Sequence, residues 1–237
     1  MNSARPWSKV QSLAQWFGDW PAELVVRWGL ERYHPRIALA CSFQDEDLVV
    51  LDLAWRIQPN IRVFFLDTGR LPEETYEVLD RIQRKYRIHI RSYFPRKKAV
   101  EDLVGEKGFY SFRTSVAERQ RCCAIRKVEP LGRALTGLDG WITGLRRGQG
   151  PTRARVAKVD RDGNHGGILK LNPIADWTGE QVRDYLREHQ IPRHPLHNRG
   201  YPSIGCAPCT RAVRPGEDLR AGRWWWEKPD TKECGLH

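Results

Sequence analysis

Short apolar runs alternate with stretches of helical periodicity along most of the chain. Five runs have the length and the branched or aromatic content of buried strands: residues 36–43, 61–67, 89–94, 141–145 and 168–174. The segments between them repeat apolar residues at helical spacing. This alternation predicts an α/β fold with a mostly parallel, twisted sheet flanked by helices.

Several predicted helices carry recognisable start signals. Residues 7–33 predict one or two helices broken at Pro21, and Pro72 is expected to open a later helix. The helical pattern from 97 to 135 predicts several pieces. Residues 178–181, Thr-Gly-Glu-Gln, form a capping box at the start of a further helix.

Ligands of parallel sheets bind beyond the carboxyl ends of the strands. The residues that follow four of the strands are therefore predicted to form the rim of a site: Ser42, Asp67–Thr68, Gly144–Arg147 and Pro173–Asp176. The turn at 44–47 precedes a helix, as in anion sites, but it is acidic and lacks glycine, which makes it a weak phosphate-loop signal. Residues 160–167 predict a surface turn.

The composition is that of a well-solvated basic protein, and the charge alone does not identify a ligand. The net charge is +11 and 40% of the residues are apolar. Nucleic acid or a small anionic substrate would suit this charge. Basic residues are mixed with acidic ones, and no basic arm carries interleaved aromatics, which disfavours nucleic acid. Without a membrane-spanning run or a signal-peptide core, we expect a cytoplasmic protein with no membrane partner.

Four of the six cysteines form two close pairs, Cys122–Cys123 and Cys206–Cys209. In a reducing compartment such pairs favour metal binding or catalysis over a disulfide framework. Four thiolates suit zinc or an iron–sulfur cluster. Adjacent cysteines would strain around one tetrahedral ion, whereas each can take a separate iron of a cubane. Spacing alone leaves cluster and zinc about equal, and a vicinal disulfide beside a zinc knuckle is the simpler alternative.

The other two cysteines stand alone. Cys41, at a strand end, is predicted to be a small buried residue. Cys234 has Lys228, Lys232 and His237 nearby, and positive charge of this kind lowers the pKa of a thiol. Cys234 is therefore a candidate nucleophile on a mobile tail. A spare thiol on a frayed terminus is the alternative.

Motifs along the chain together resemble the assimilatory sulfonucleotide reductases. The motifs are LDTGRLPEETY (66–76), RCCAIRKVEPL (121–131), GLRR (144–147), YPSIGCAPCTRAV (201–213), GEDLRAGRWWWE (216–227) and KECGLH (232–237). The resemblance covers nearly the whole chain from about residue 36, and the cysteine pattern with the ECGLH terminus is highly specific.

The resemblance implies a nucleotide-binding fold of the adenine nucleotide alpha hydrolase type, related to the ATP pyrophosphatases. It implies one domain over 1–237, with N-terminal helices in 1–35, the α/β core in 36–200 and a cluster-binding, catalytic tail in 201–237. Family members with both cysteine pairs are adenylyl-sulfate (APS) reductases with a four-iron, four-sulfur (4Fe-4S) cluster. The implied ligands of one such cluster per chain are Cys122, Cys123, Cys206 and Cys209.

The implied reaction is the reduction of APS to sulfite and AMP in sulfate assimilation. Cys234 would form an S-sulfocysteine intermediate. Thioredoxin or glutaredoxin would reduce it as a separate protein, because the chain stops at His237. By family match, the residues around the phosphate and sulfate are Lys127, Arg220, Arg223 and His237. Those lining the adenosine are Ser42, Leu66, Thr68 and Gly144.

The resemblance implies that the cluster positions Lys127 and shapes the field at the sulfate, since two thiols suffice for two electrons. Arg146 and Arg147 are expected to contact the ligand or the tail. Residues 224–226, three tryptophans, are expected to serve core or lid packing rather than nucleotide stacking.

Two alternatives remain. One is a reductase of the 3′-phosphorylated nucleotide (PAPS), or a dual APS/PAPS enzyme, that retains the cluster. The more remote one is a basic zinc-binding protein that binds nucleic acid. The sequence leaves the oligomeric state open, including a homo-oligomer.

Overall fold

A six-stranded sheet forms the centre of the structure, a computed structural model that describes residues 13–228 and 232–236. Its strands are β1 (Ile37–Ala40), β2 (Arg62–Leu66), β3 (Ile90–Tyr93), β4 (Gly140–Ile142), β5 (Val159–Asp162) and β6 (Ile168–Leu171). Their order is β3-β2-β1-β4-β6-β5, and every pair is parallel except β5–β6. The predicted α/β fold with a mostly parallel sheet is confirmed.

Eight α-helices are described around the sheet. They are α1 (Leu13–Trp16), α2 (Ala22–Tyr33), α3 (Asp45–Ile57), α4 (Glu73–Tyr86), α5 (Lys97–Lys107), α6 (Val116–Cys123), α7 (Glu129–Leu135) and α8 (Gly179–Glu188). Pro21 and Pro72 directly precede α2 and α4, and the capping box at Thr178 begins α8, all as predicted. The part of the first predicted helix before residue 13 lies outside the described residues. None of the helices in the described ranges is long and apolar enough to cross a bilayer.

Side chains of the strands alternate between two apolar layers. Ile37 and Leu39 of β1 face a core shared with α2, α3, α4 and α8. Ala38 faces the opposite layer, where Leu131 and Leu135 of α7 pack. The period of two along a strand thus places helices on both faces of the sheet.

The prediction of a surface turn over 160–167 was wrong at its start, which belongs to the edge strand β5. This strand pairs antiparallel with β6, with Asp160 opposite Lys170. The Asp162 carboxylate accepts a hydrogen bond from Nε1 of the buried Trp141, at 3.0 Å. Pairing and this bond, rather than the low strand propensity of the sequence, hold the segment extended. A turn over Gly163–His165 follows.

Helices α6 and α7 join through a wider, π-helical turn at Ala124–Val128. Pro130 accounts for it, because proline has no amide hydrogen for the carbonyl of Arg126 and its ring clashes with that carbonyl. Turns of this kind are frequent at functional sites. Here the turn contains Arg126 and Lys127, both buried.

A buried carboxylate, Asp52, joins three helices. It accepts hydrogen bonds from the hydroxyl of Tyr86 on α4 at 2.8 Å and from that of Tyr185 on α8 at 2.7 Å. Arg56, one turn further along α3, donates at 2.6 Å. Burial, reinforced by Asp52, raises the pKa of both tyrosines. The network fixes α3, and with it the turn that precedes α3, against the other helices.

Replacing Asp52 with Ala should lower the free energy of unfolding by about 2–4 kcal/mol, because two partly or fully buried hydroxyls and Arg56 lose their acceptor. Urea denaturation followed by circular dichroism measures this change.

Asp80→Ala is the matched control, since Asp80 pairs with Arg84 on the exposed face of α4. Its effect should stay below about 1 kcal/mol. Equal losses in the two variants would show that Asp52 contributes no more than a surface ion pair.

Candidate active site

A cavity of about 240 Å³ lies at the carboxyl ends of β1, β2 and β4. The sheet order places β2 on one side of β1 and β4 on the other, so the loops after β1 and β4 diverge there. Such a switch point is where open α/β sheets bind ligands. Strand-end residues on the cavity wall include Ser42, Leu66, Thr68 and Gly144.

The predicted rim was only partly right. Asp67, Arg147 and residues 173–176 do not line this cavity. The segment 173–176 packs behind the loop that follows β4. Asp176 pairs with Lys158 at 2.7 Å, and the Ala175 carbonyl accepts a hydrogen bond from the amide of Arg147. This segment supports the rim instead of facing the ligand space.

Asp47 ties the loops after β1 and β4 together. Its Oδ2 accepts hydrogen bonds from the Ser42 amide at 2.7 Å and from the Ser42 hydroxyl at 2.5 Å, and its Oδ1 accepts one from the Gly144 amide at 3.0 Å. Burial raises the pKa of Asp47. A Cβ at Gly144 would lie 2.5 Å from Asp47 Oδ1 and 2.8 Å from the Asp47 nitrogen. The close approach of the two loops therefore requires glycine at 144.

The other carboxylates of the acidic turn are paired within the protein. Glu46 binds the buried Arg146 at 2.7 Å, and Asp45 binds Arg193 at 2.6 Å. The turn thus anchors the site walls from behind. Arg146, expected to contact ligand or tail, lines the cavity but uses its guanidinium largely on Glu46 and the Trp177 carbonyl.

The four paired cysteines line a second, smaller cavity next to the first. Cys122 and Cys123 end α6, and Cys206 and Cys209 flank a short turn; all four are buried. The thiol of Cys206 donates to Thr68 Oγ1 at 3.2 Å, which connects the two cavities. Burial raises the pKa of Cys123 to about 11 and that of Cys209 to about 12.

None of these thiols is in a disulfide, and Cys41 is buried as predicted. In residues 13–228 and 232–236, no three His, Cys, Asp or Glu side chains are arranged as a ready metal site. What the structure gives is four thiols around one cavity.

Lys127 and Trp224 form the wall between the cavities, since each lines both. Lys127 is 8% exposed. Burial lowers its pKa, but nearby thiols, including Cys206 and Cys234, outweigh burial and leave the pKa raised. The ammonium group is therefore positioned between the cysteine pairs and the tail thiol.

Trp224 packs with the cysteine pairs and is 1% exposed. Its ring has the guanidinium groups of Arg223 and Arg119 at 4.7 and 4.8 Å and Nζ of Lys127 at 5.8 Å. The expected packing role of this tryptophan agrees with its place in the core. Its aromatic face also stabilises three cations.

Arginines also line the larger cavity. Arg223 donates to the Ile204 carbonyl at 3.1 Å, and burial followed by the charge of Arg220 lowers its pKa. Arg153 lies there too, with its Nε 3.8 Å from Glu233 Oε1. The sequence reasoning missed Arg153, although it stands shortly after the GLRR motif.

Cys234 lies on the wall of the same cavity and is half-buried. The residue before it, Glu233, accepts hydrogen bonds from Thr152 Oγ1 at 2.8 Å on its carboxylate and from Arg119 on its carbonyl. Gly235 follows in the left-handed region, with φ of 80°. The two contacts of Glu233 therefore hold Cys234 at the wall of the cavity.

Seven of the eight predicted substrate-binding residues line this cavity together with Cys234: Ser42, Leu66, Thr68, Lys127, Gly144, Arg220 and Arg223. The eighth, His237, lies outside the described residues. These residues come from five separate regions of the chain, and the fold brings them together at one cavity.

Comparison with known proteins gives a consistent result. A family model described as the phosphoadenosine phosphosulfate reductase domain matches residues 36–212. The chain is 51% identical to adenosine 5'-phosphosulfate reductase of Allochromatium vinosum over 201 residues, covering 85% of this chain and 78% of the relative. It is 49% identical to the enzyme of the same name from Burkholderia cepacia over 204 residues, covering 86% and 81%.

Solved structures agree at the level of the fold. Phosphoadenylyl-sulfate (PAPS) reductase from Candida auris, in a phosphate complex, has a TM-score of 0.72 at 24% identity, covering 85% of this chain and 94% of that one. FMN adenylyltransferase from Candida glabrata has a TM-score of 0.57 at 13% identity, covering 90% and 75%. The predicted fold of the adenine nucleotide alpha hydrolase type is thereby confirmed.

Gly144→Ala should destabilise the protein by about 1–3 kcal/mol, because the added methyl group meets backbone atoms of Glu46 and Asp47 that cannot move freely. Thermal and urea unfolding of the purified variant measure the loss.

Gly132→Ala, in α7 with no atom within 4 Å of the added Cβ, is the matched control. It should be neutral or more stable by up to about 1 kcal/mol. If both variants behave alike, the loops after β1 and β4 do not need their close approach.

Proposed function

The chain belongs to the phosphoadenosine phosphosulfate reductase domain family, and from this premise we propose that it reduces APS to sulfite and AMP in sulfate assimilation. The observation that carries the proposal is the single cavity in which Cys234 meets seven residues suited to an anionic nucleotide. The relatives named adenosine 5'-phosphosulfate reductase, at 49% and 51% identity, support APS as substrate.

The reaction proceeds through two displacements at sulfur. The Cys234 thiolate attacks the sulfuryl sulfur of APS, the sulfur–oxygen bond to the phosphate breaks, and AMP leaves with the bonding electrons. The product is an S-sulfocysteine. A thiolate of reduced thioredoxin then attacks Cys234 Sγ, and sulfite leaves with the electron pair. The second thiol of thioredoxin resolves the mixed disulfide and restores Cys234, so the dithiol supplies both electrons.

Positive charge on the cavity wall makes the first displacement feasible. Nucleophile and substrate are both anionic, and their repulsion must be offset as the bond forms. Lys127, Arg220 and Arg223 line the cavity, and the charges of all three interact with the Cys234 thiol. These three residues would hold the phosphosulfate and stabilise the charge that moves onto AMP.

The four buried cysteines are suited to the 4Fe-4S cluster that the family resemblance implies. They are all thiol donors, and they line one cavity. Arg70, Arg119, Arg126 and Lys127 also line that cavity and would balance an anionic cluster. When bound, the cluster would supply negative charge next to the substrate cavity, and Lys127 would lie between cluster and substrate.

PAPS reduction, alone or alongside APS, is the second candidate. The description of the matched family model favours it, as it names the 3′-phosphorylated nucleotide. Turnover measured with each nucleotide under identical conditions separates the two. A zinc protein that binds nucleic acid would instead be colourless, bind DNA or RNA with a steep salt dependence and release no sulfite.

The deciding experiment is anaerobic purification with iron and sulfide assays, followed by sulfite release from APS with reduced thioredoxin. Cys234→Ser should keep the brown colour and the iron content, because Cys234 is not among the four paired cysteines, and should lose sulfite release completely. Mass spectrometry of the wild-type protein mixed with APS should place one sulfonate group on Cys234. A sulfonate on any other residue, or activity in the serine variant, would refute the assignment.

Lys127→Ala should lower kcat by roughly 10²–10³-fold while iron and sulfide stay at wild-type levels, because one buried cation at the reacting sulfate is removed. Steady-state kinetics and metal analysis on the same preparation measure both quantities.

Lys98→Ala provides the control, since Lys98 is exposed and pairs with Asp102 on α5. It should match the wild type in both measurements. Unchanged kcat in Lys127→Ala would remove this lysine from the mechanism.

A further inference from the structure

Arg119 is a fully buried arginine that the proposed reaction does not use. It lies on α6, three and four residues before Cys122 and Cys123, and therefore on the same face of the helix. It lines the cysteine cavity and is not among the residues that line the substrate cavity. Its side chain therefore does not contact the predicted substrate.

The guanidinium group binds the C-terminal segment at two separate points. Nε and Nη2 donate to the two carboxylate oxygens of Glu227 at 3.0 and 2.9 Å, and Glu227 is itself 3% exposed at its side chain. Nη1 donates to the backbone carbonyl of Glu233. The chain between these points contains residues 229–231, outside the described ranges, so Arg119 bridges both sides of that segment.

Packing and charge both fix the guanidinium in this place. It lies 4.8 Å from the ring centre of Trp224, three residues before Glu227. The guanidinium also contacts the thiol of Cys123, one turn further along α6. A planar fork with several donors can serve a carboxylate and a carbonyl at once, which the single ammonium group of lysine does less well.

The peptide that Arg119 holds leads directly into the nucleophile. Glu233 is the residue before Cys234, and Gly235 after it offers little conformational restraint. We propose that Arg119 is a positioning residue that fixes Cys234 over the substrate cavity by binding the Glu233 carbonyl, with Glu227 holding the guanidinium in place. This inference rests on the proposed role of Cys234.

A positioning role for Arg119 predicts that its replacement lowers kcat and leaves KM for APS nearly unchanged. The cavity residues Arg220, Arg223 and Lys127 are untouched in an Arg119 variant, so KM for APS should change little. A misplaced nucleophile lowers the rate of bond formation, and errors near 1 Å cost on the order of 10²-fold. Arg119→Lys should therefore lower kcat by roughly 10- to 100-fold, and single-turnover formation of S-sulfocysteine without thioredoxin should slow by the same factor.

A second variant guards against loss of folding. Removing Arg119 alone leaves the Glu227 carboxylate buried without its partner, which is strongly destabilising, whereas replacing both charges with apolar groups is often neutral. The double variant Arg119→Met with Glu227→Met should retain iron, sulfide and the unfolding midpoint, and yet sulfonate Cys234 as slowly as Arg119→Lys. Arg121→Lys, on the same helix but exposed and paired with Glu106, should match the wild type.

Each outcome has one meaning. Slow sulfonation with wild-type iron and KM supports positioning. Wild-type sulfonation rates in Arg119→Lys or in the double variant overturn it, and so does a loss of rate that only follows lost iron. If the wild-type protein itself forms no S-sulfocysteine from APS, the proposed function fails, and that result is distinct from a wild type that reacts beside variants that react equally fast.

Discussion

Buried positive charge that lacks carboxylate partners is the constraint on which the site depends. Arg126, Lys127 and Arg223 are 6–8% exposed, and no carboxylate within residues 13–228 or 232–236 lies at ion-pair distance from them. The effective penalty for burying an ion is several kcal/mol. Carbonyls of Thr68 and Ile204 offset part of it. Under the proposed function, bound anions would offset the remainder: a thiolate-ligated cluster in the smaller cavity and a phosphosulfate in the larger one.

The continuous helical segment 116–135 places this positive charge between the two cavities. Its first part, α6, ends in the adjacent cysteines, its π-helical turn carries Arg126 and Lys127, and its last part, α7, packs on the sheet through Leu131. Because α7 is fixed against the sheet, the position of Lys127 relative to the strand ends follows from core packing. The C-terminal segment packs against this helical segment, where Trp224 contacts the paired cysteines. Cavity, thiols and tail are therefore parts of one packed unit.

The sequence predicted what is encoded locally or by motif. Five parallel strands were evident from their short branched or aromatic runs, which in β1 and β4 are apolar and buried along nearly their whole length. The edge strand β5 was not, since its polar residues become a strand only by pairing with β6. Cavity residues at the strand ends, such as Ser42 and Gly144, followed from the strand pattern, and the cations Lys127, Arg220 and Arg223 followed from the family resemblance. No sequence feature indicated Arg119 or Arg153. Arg119 and Glu227 are 108 residues apart in the sequence, and no local sequence pattern predicts a hydrogen bond between residues so far apart.

Polar contacts add to the apolar packing of Leu236 in holding the tail, and they matter for a reaction with two partners. The Lys232 carbonyl binds Arg220 at 3.0 Å, the Glu233 carboxylate binds Thr152, and the Glu233 carbonyl binds Arg119. Each such bond has a charged partner and contributes a net stability of about 1.5–3 kcal/mol, since water replaces it when it opens. In the proposed reaction Cys234 must face the nucleotide first and a protein thiol afterwards. Directional bonds that water can replace give the tail a defined geometry in the first step and still permit its release in the second.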